Sequence, residues 1–180
     1  MTKWLVGAVL AVLALGLWAF EPWRLFTSSE IDEPVPTAGV AAAPSATSAP
    51  SERPVAGTPF PAPPPRDRVL SSGAFVPAEH ATGGRARVLR LADGRRFLRL
   101  ESLATSDGPD LHVWLSDQPS GGDWGSYDDG RYVRLGELKA TNGNQNYVVP
   151  DAVDLAGLTT VVIWCDRFDV AFGTASLAAG

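Results

Sequence analysis

Two residue types able to carry redox or ligand chemistry are used sparingly in this chain: one cysteine, Cys165, and two histidines, His80 and His112. A thiolate at Cys165 can act as a nucleophile, a redox centre or a soft metal ligand, and two imidazoles beside it would complete the ligand set of a blue-copper centre. The spacing opposes copper. Such sites hold the cysteine, a histidine and an axial methionine close together in sequence, whereas here no histidine follows Cys165 and the only methionine is Met1. Cys-x-x-Cys-His for covalent haem, cysteine pairs for zinc or iron–sulfur clusters and a Gly-rich phosphate loop are all missing from the sequence. Asp107, Asp110, Asp123, Asp128 and Asp129 fall in turn-like segments without EF-hand spacing, where acidic residues usually cap or solvate loops.

The segment that must position Cys165 is VVIWCDRFDVAFGTA, Val161 to Ala175, which reads as one long strand. Alternation places Val162, Trp164, Phe168, Val170 and Phe172 on one face, and Val161, Ile163, Cys165 and Arg167 on the other. Both faces are apolar up to Cys165, and the second then turns polar. Cys165 is thus expected at the edge of the core, with Arg167 about 6 to 7 Å further along the same face. A guanidinium there would favour the thiolate over the thiol. Free cysteine is also among the most buried residue types and often packs as a small hydrophobe. Inert core and working thiol both remain open from local sequence. The histidines divide similarly: His80 lies in the turn-rich PAEHATGG, and His112 shares a strand face with Trp114.

The compartment is set at the other end of the chain. WLVGAVLAVLALGLWAF, Trp4 to Phe20, carries no charge and follows Lys3. As a helix at ~1.5 Å per residue it spans ~25 Å, and Trp18, Trp23, Leu25 and Phe26 can extend it into the interface. It exceeds the usual h-region of a cleaved signal peptide, and no small-x-small site follows closely. An uncleaved single-pass anchor over residues 1–26 is expected, contacting membrane lipid, with the N-terminus cytoplasmic and the rest outside. Outside the cytoplasm an unpaired cysteine is unusual, because thiols there normally pair as disulfides.

Residues 27–67 change composition, and ten of the fifteen prolines fall between Thr27 and Arg66. So little apolar bulk cannot offset the entropy of ordering, so a disordered Pro/Ala/Ser-rich stalk is expected. Residues 68–180 have the size of one compact domain. They read as short strands split by turn chemistry: ARVLRLA and RFLRLES around Asp93-Gly94, a strong hairpin signal, then LHVWLS, YVRLGEL, NYVVP and the run from Thr159, with TNGNQ and PDAVDLAGL as connections. The expected fold is all-β, an antiparallel Greek-key-like β-sandwich preceded by one transmembrane helix and a disordered linker. A net charge of −5 without a basic block excludes nucleic acid as a partner.

The segments GRARVLRLADGRRFLRLESLATSDGPDLHVWLS (Gly84 to Ser116), LKATNGNQNYVVPDAVDL (Leu138 to Leu155) and VVIWCDRFDVAFGTASL (Val161 to Leu177) resemble the DM-thirteen electron-transfer domain, a small β domain associated with DOMON domains. The resemblance covers about Val69 to Leu177, with TSDGPDLHVWLS, NGNQNY and WCDRFDVAFGTA in the family's order. It implies a redox role centred on Cys165, as a bare thiol or as a ligand to a prosthetic group such as haem, with His112 and His80 as further possible ligands. It also implies an unidentified redox partner protein, the domain being an electron-transfer component rather than a stand-alone enzyme. Trp114, Trp164 and Phe168 would line a haem pocket; a bare thiol, supported by Arg167, suits so small a domain better. The alternative is a surface binding or adhesion module with a buried structural cysteine, whose loop GGDWGSYDDGR (Gly121 to Arg131) would present Trp124 and Tyr127 to a glycan or protein.

Overall fold

The computed structural model describes residues 27–38 and 65–180, together with Val6, Gly7 and Leu10. Apart from those three residues, the expected anchor lies outside the described residues. Among the described residues no helix is long and apolar enough to cross a membrane. The fold is all-β: β1 (Glu30–Asp32), β2 (Arg68–Pro77), β3 (Gly83–Arg90), β4 (Arg96–Ala104), β5 (Leu111–Ser116), β6 (Tyr132–Glu137), β7 (Asn142–Val149), β8 (Thr160–Cys165), β9 (Val170–Ser176) and β10 (Ala178–Ala179).

These strands form one continuous sheet in the order β1-β7-β4-β3-β2-β9-β8-β5-β6, with β10 against β2. The sheet curls into a half-barrel in place of the expected two-layered sandwich. The cause is β2, which serves both halves: Arg68 to Ala74 pair with β3, and Phe75 to Pro77 pair with β9. Gly73 lies just before that change of partner, and a Cβ there would run into the Ser176 carbonyl. Inside the curl, Leu98, Leu100, Val113, Leu115, Val161 and Ile163 are each 0% exposed. Removing each such side chain from water contributes about 1.5–3 kcal/mol.

The Asp93-Gly94 hairpin forms as expected. Arg90 pairs with Arg96, Gly94 donates to the Leu91 carbonyl at 2.9 Å, and Gly94 adopts φ +92°, a region open to glycine. Two segments differ from their expected form. The run after Thr159 is two strands, since the chain reverses at Asp166–Asp169 and β9 returns antiparallel with Val170 opposite Cys165. Asp169 takes a left-handed φ of +53° to close that turn, which three of its four residues, Asp166, Arg167 and Asp169, make polar. TNGNQ, expected as a connection, supplies the whole first half of β7, Asn142 to Gln145, its asparagine side chains finding partners instead of breaking the strand.

Those partners come from the stretch read as stalk. Within residues 27–67, β1 adds a parallel strand to β7, with Glu30, Ile31 and Asp32 opposite Asn142, Gly143 and Asn144. Composition alone undervalued this segment because its order comes from hydrogen bonds to the β7 edge and not from burial of its own apolar bulk.

Candidate functional site

Cys165 is the last residue of β8 and faces inward with Val161 and Ile163, 0% exposed. It pairs with Leu111 on β5 and Val170 on β9. The turn that follows brings backbone amides around the sulfur. Burial pushes the thiol up from its ordinary value; amides of Phe168, Arg167 and Asp110 pull it back in part, and the Asp110 carboxylate adds to the rise. Asp166 N–H donates to the Asp110 carbonyl at 3.0 Å, tying this turn to the start of β5. Arg167 sits in the turn, exposed, and no longer shares a strand face with Cys165. It bears on the sulfur through its amide, so the expected thiolate-favouring guanidinium is replaced by a net preference for the neutral thiol.

Trp164, one residue back, points to the opposite face of the sheet. There it packs with Trp114, Tyr127, Val162 and Ala171 in a second buried cluster. Trp114 is sandwiched: its ring lies 4.7 Å from that of Trp164 at 26° and 4.5 Å from that of Tyr132 at 12°. Trp164 and Trp114 are 1% exposed and Tyr132 is 37% exposed, so the stack runs from the residue bonded to Cys165 out to solvent. Register explains the order, since Trp114 on β5 lies opposite Val162 on β8 and opposite Arg134 on β6. Arg134 rests its guanidinium 4.7 Å from the Trp114 ring and hydrogen-bonds Asp166.

His112, opposite Trp164 across β5 and β8, completes this face. Its Nε2 lies 2.9 Å from Asp110 Oδ1 and 3.5 Å from Asp166 Oδ2. Asp110, His112 and Asp166 are the group of three ligand-bearing residues found close together among the described residues, their atoms within 4.8 Å of one another. They could hold a divalent cation, but the Arg134 guanidinium already occupies the charge of Asp166. Trp114 Nε1 and Asp166 Oδ1 are buried without a hydrogen-bond partner.

The two histidines and Cys165 do not form one ligand set. His80 packs its ring on Phe172 at 4.0 Å and lies 3.6 Å from Glu79, while His112 joins the two aspartates. Haem does not fit the residues present. The sulfur is 0% exposed, Phe168 is 48% exposed in the turn, and Trp164 and Trp114 stack on each other on the far face. A cavity of about 260 Å³ approaches this end, lined in part by Asp110 and Leu111, but Asp107, Asp110 and Glu137 make its wall acidic. Cofactor pockets are mostly apolar and of ~300–1,000 Å³. The loop Gly121 to Arg131 presents Trp124, 50% exposed, whereas Tyr127 is 0% exposed and accepts a hydrogen bond from Gly122 N–H at 3.1 Å. Tyr127 therefore packs back under its own loop and is unavailable to a ligand.

Asp110, Tyr132, Arg134 and Asp166 gain their places from strand register, which sequence reasoning did not supply. The polar Asp166 directly after Cys165 was the one local signal. A family model described as Electron transfer DM13 matches residues 74–177, which takes in both faces of β8 and the whole ring stack. No curated protein and no solved structure matches the chain.

Proposed function

Because the chain belongs to the DM13 electron-transfer family, we propose that its domain is a one-electron redox module whose centre is the Cys165 thiol and whose outlet is the Trp164–Trp114–Tyr132 stack. The observation that carries this reading is the stack itself, with ring centroids 4.7 and 4.5 Å apart leading from the neighbour of a fully buried thiol to a surface tyrosine. Electron transfer needs no contact between donor and acceptor, so burial does not disqualify the thiol.

In the oxidising step the Cys165 S–H bond breaks. Its proton passes to the Asp110 carboxylate and one electron leaves through the rings to a one-electron carrier docked at Tyr132, leaving a thiyl radical. Reduction returns one electron and one proton. The raised thiol fits this step, because proton and electron then leave together instead of a thiolate waiting in an apolar core. Arg134 over Trp114 opposes a standing positive charge on that ring and favours a short-lived relay over a resting radical. The domain is carried outside the membrane by the anchor read in Trp4 to Phe20.

The test compares two reagents on the full chain in detergent. A bulky thiol reagent should leave native Cys165 untouched, while a photogenerated outer-sphere one-electron oxidant should consume the thiol, counted after denaturation. A thiol intact under both would show an inert core cysteine. That result would favour the second reading, a surface-binding module contacting its partner through Trp124, which 50% exposure supports.

A further inference from the structure

The docking of β1 changes how the domain must be mounted. Residues 27–38 are held along their length. Ser29 exchanges hydrogen bonds with Thr141, its N–H donating to Oγ1 at 3.0 Å and its Oγ accepting from the Thr141 N–H at 3.1 Å. Asn142 N–H donates to the Ser29 carbonyl at 2.9 Å, and Glu33 N–H to the Asn144 carbonyl at 2.9 Å. Asn144 Nδ2 reaches Asp32, Asn146 Nδ2 reaches the Pro34 carbonyl, and Arg99 Nη1 reaches the carbonyls of Glu33 and Pro34. The Glu33 carboxylate takes Lys139 Nζ at 2.7 Å and the Asn146 N–H at 2.6 Å. Gly143 leaves room for the approach, since a Cβ there would run into the Ile31 carbonyl.

Direction matters as much as attachment. The docked segment enters at Thr27, which hydrogen-bonds Asp107 in the loop between β4 and β5. That loop ends in Asp110, whose amide faces the Cys165 sulfur. Seven residue steps separate Phe20 from Thr27, at most about 25 Å of extended chain. The Pro-rich residues 39–64 come afterwards in sequence, between the docked segment that ends at Ala38 and the stretch from Pro65 that leads into β2.

We propose that residues 27–38 are a permanent edge strand that fastens the Cys165 end of the domain against the lipid surface, so that residues 39–64 are an insertion within the domain and not a spacer below it. The inference rests on the anchor reading of Trp4 to Phe20. It confines the redox partner to carriers that can work at the membrane face.

The test uses the full chain in proteoliposomes with dye-labelled headgroups. A donor dye is placed at Ala104→Cys, at the Cys165 end, or at Asp151→Cys, at the far end of β7; both sites are exposed, and buried Cys165 is spared by native labelling. Energy transfer should be stronger from position 104 than from 151. Inserting about twenty Gly/Ser residues within 39–64, which adds ~25 Å of flexible reach, should leave both values unchanged. Equal transfer from the two sites, falling on insertion, would overturn the proposal and restore the stalk. A chain that alkaline carbonate strips from the liposomes would instead refute the anchor reading, and the proposal with it. Gly143→Val should make transfer sensitive to the insertion; should that variant misfold, Glu33→Gln with Lys139→Met weakens the same dock from the surface, and no change with either would also count against it.

Discussion

The two faces of β8 are built on opposite terms. Inward, Val161, Ile163 and Cys165 pack into the large apolar core, each 0% exposed. Outward, Val162 and Trp164 lie beneath a layer in which aromatic rings, a guanidinium, an imidazole and two carboxylates are stacked and paired. The inner face gives the thiol shelter, with backbone amides and the Asp110 carboxylate acting on it only from the strand end; the outer face has polar groups and a solvent edge but no thiol. One backbone step joins them. On the proposed reading the thiol is chemically sheltered and still electronically connected, the connection running through its neighbour Trp164.

Substitutions on the two faces should consequently separate stability from redox behaviour. Trp114→Ala removes the middle ring and a buried core side chain, so denaturant unfolding should show a loss of about 3–5 kcal/mol. Where the variant remains folded, oxidation of Cys165 should slow by at least about tenfold, equivalent to ~1.4 kcal/mol in the barrier. Ile163→Ala on the inner face should lose a comparable ~2–5 kcal/mol while leaving the rate of Cys165 oxidation in the folded fraction unchanged. Equal slowing by both would erase the distinction between the faces.

Cys165→Ser should cost about 1–3 kcal/mol, because a hydroxyl without a full set of partners replaces the thiol in the core, and it should abolish the oxidation signal. The pH dependence follows the raised thiol. Its contribution to stability is complete below the unfolded-state value of about 8.5 and is lost as pH rises through the higher folded value. Unmodified protein should lose stability across that alkaline window, and Cys165→Ala should not show that component. At the β1 edge the sign is opposite. Burial raises Glu33, but hydrogen bonds from Lys139 and Asn146 and the charge of Lys139 outweigh it, holding the carboxyl below its usual range. Docking of β1 should be strong above pH ~4.3 and weaken as pH falls through the folded value, read as the pH at which energy transfer becomes sensitive to the insertion.

Much of this architecture was legible in residue order. Alternation in LHVWLS and VVIWC, and Asp93-Gly94 between two apolar runs, dictate strands and a hairpin with few competitors. Apolar residues on both faces before Cys165 placed it only at the edge of the core; the structure buries it fully, 0% exposed, because the chain turns at Asp166 instead of running on as a strand. What alternation could not show was where the chain reverses: DRFD carries Phe168 in step with the strand pattern, so a turn looked like more strand. Nor could it show Tyr132 over Trp114 or His112 beside Asp166, because these depend on the register of β5 against β6 and β8. The β1–β7 pairing was hidden for another reason. A segment rich in serine, proline and acids looks unfoldable until the asparagines of NGNQN are seen as its partners.

The smallest structural change gives the sharpest test. Tyr132 is 37% exposed and ends the stack, so Tyr132→Leu should alter unfolding stability by no more than about 1 kcal/mol. The measurement is the rate at which a photogenerated one-electron oxidant, kept outside the protein, consumes the Cys165 thiol in the full chain with and without that substitution. A relay through Tyr132, Trp114 and Trp164 predicts a rate lower by at least about tenfold in the variant. Equal rates in the two proteins, with the fold unchanged, would contradict it.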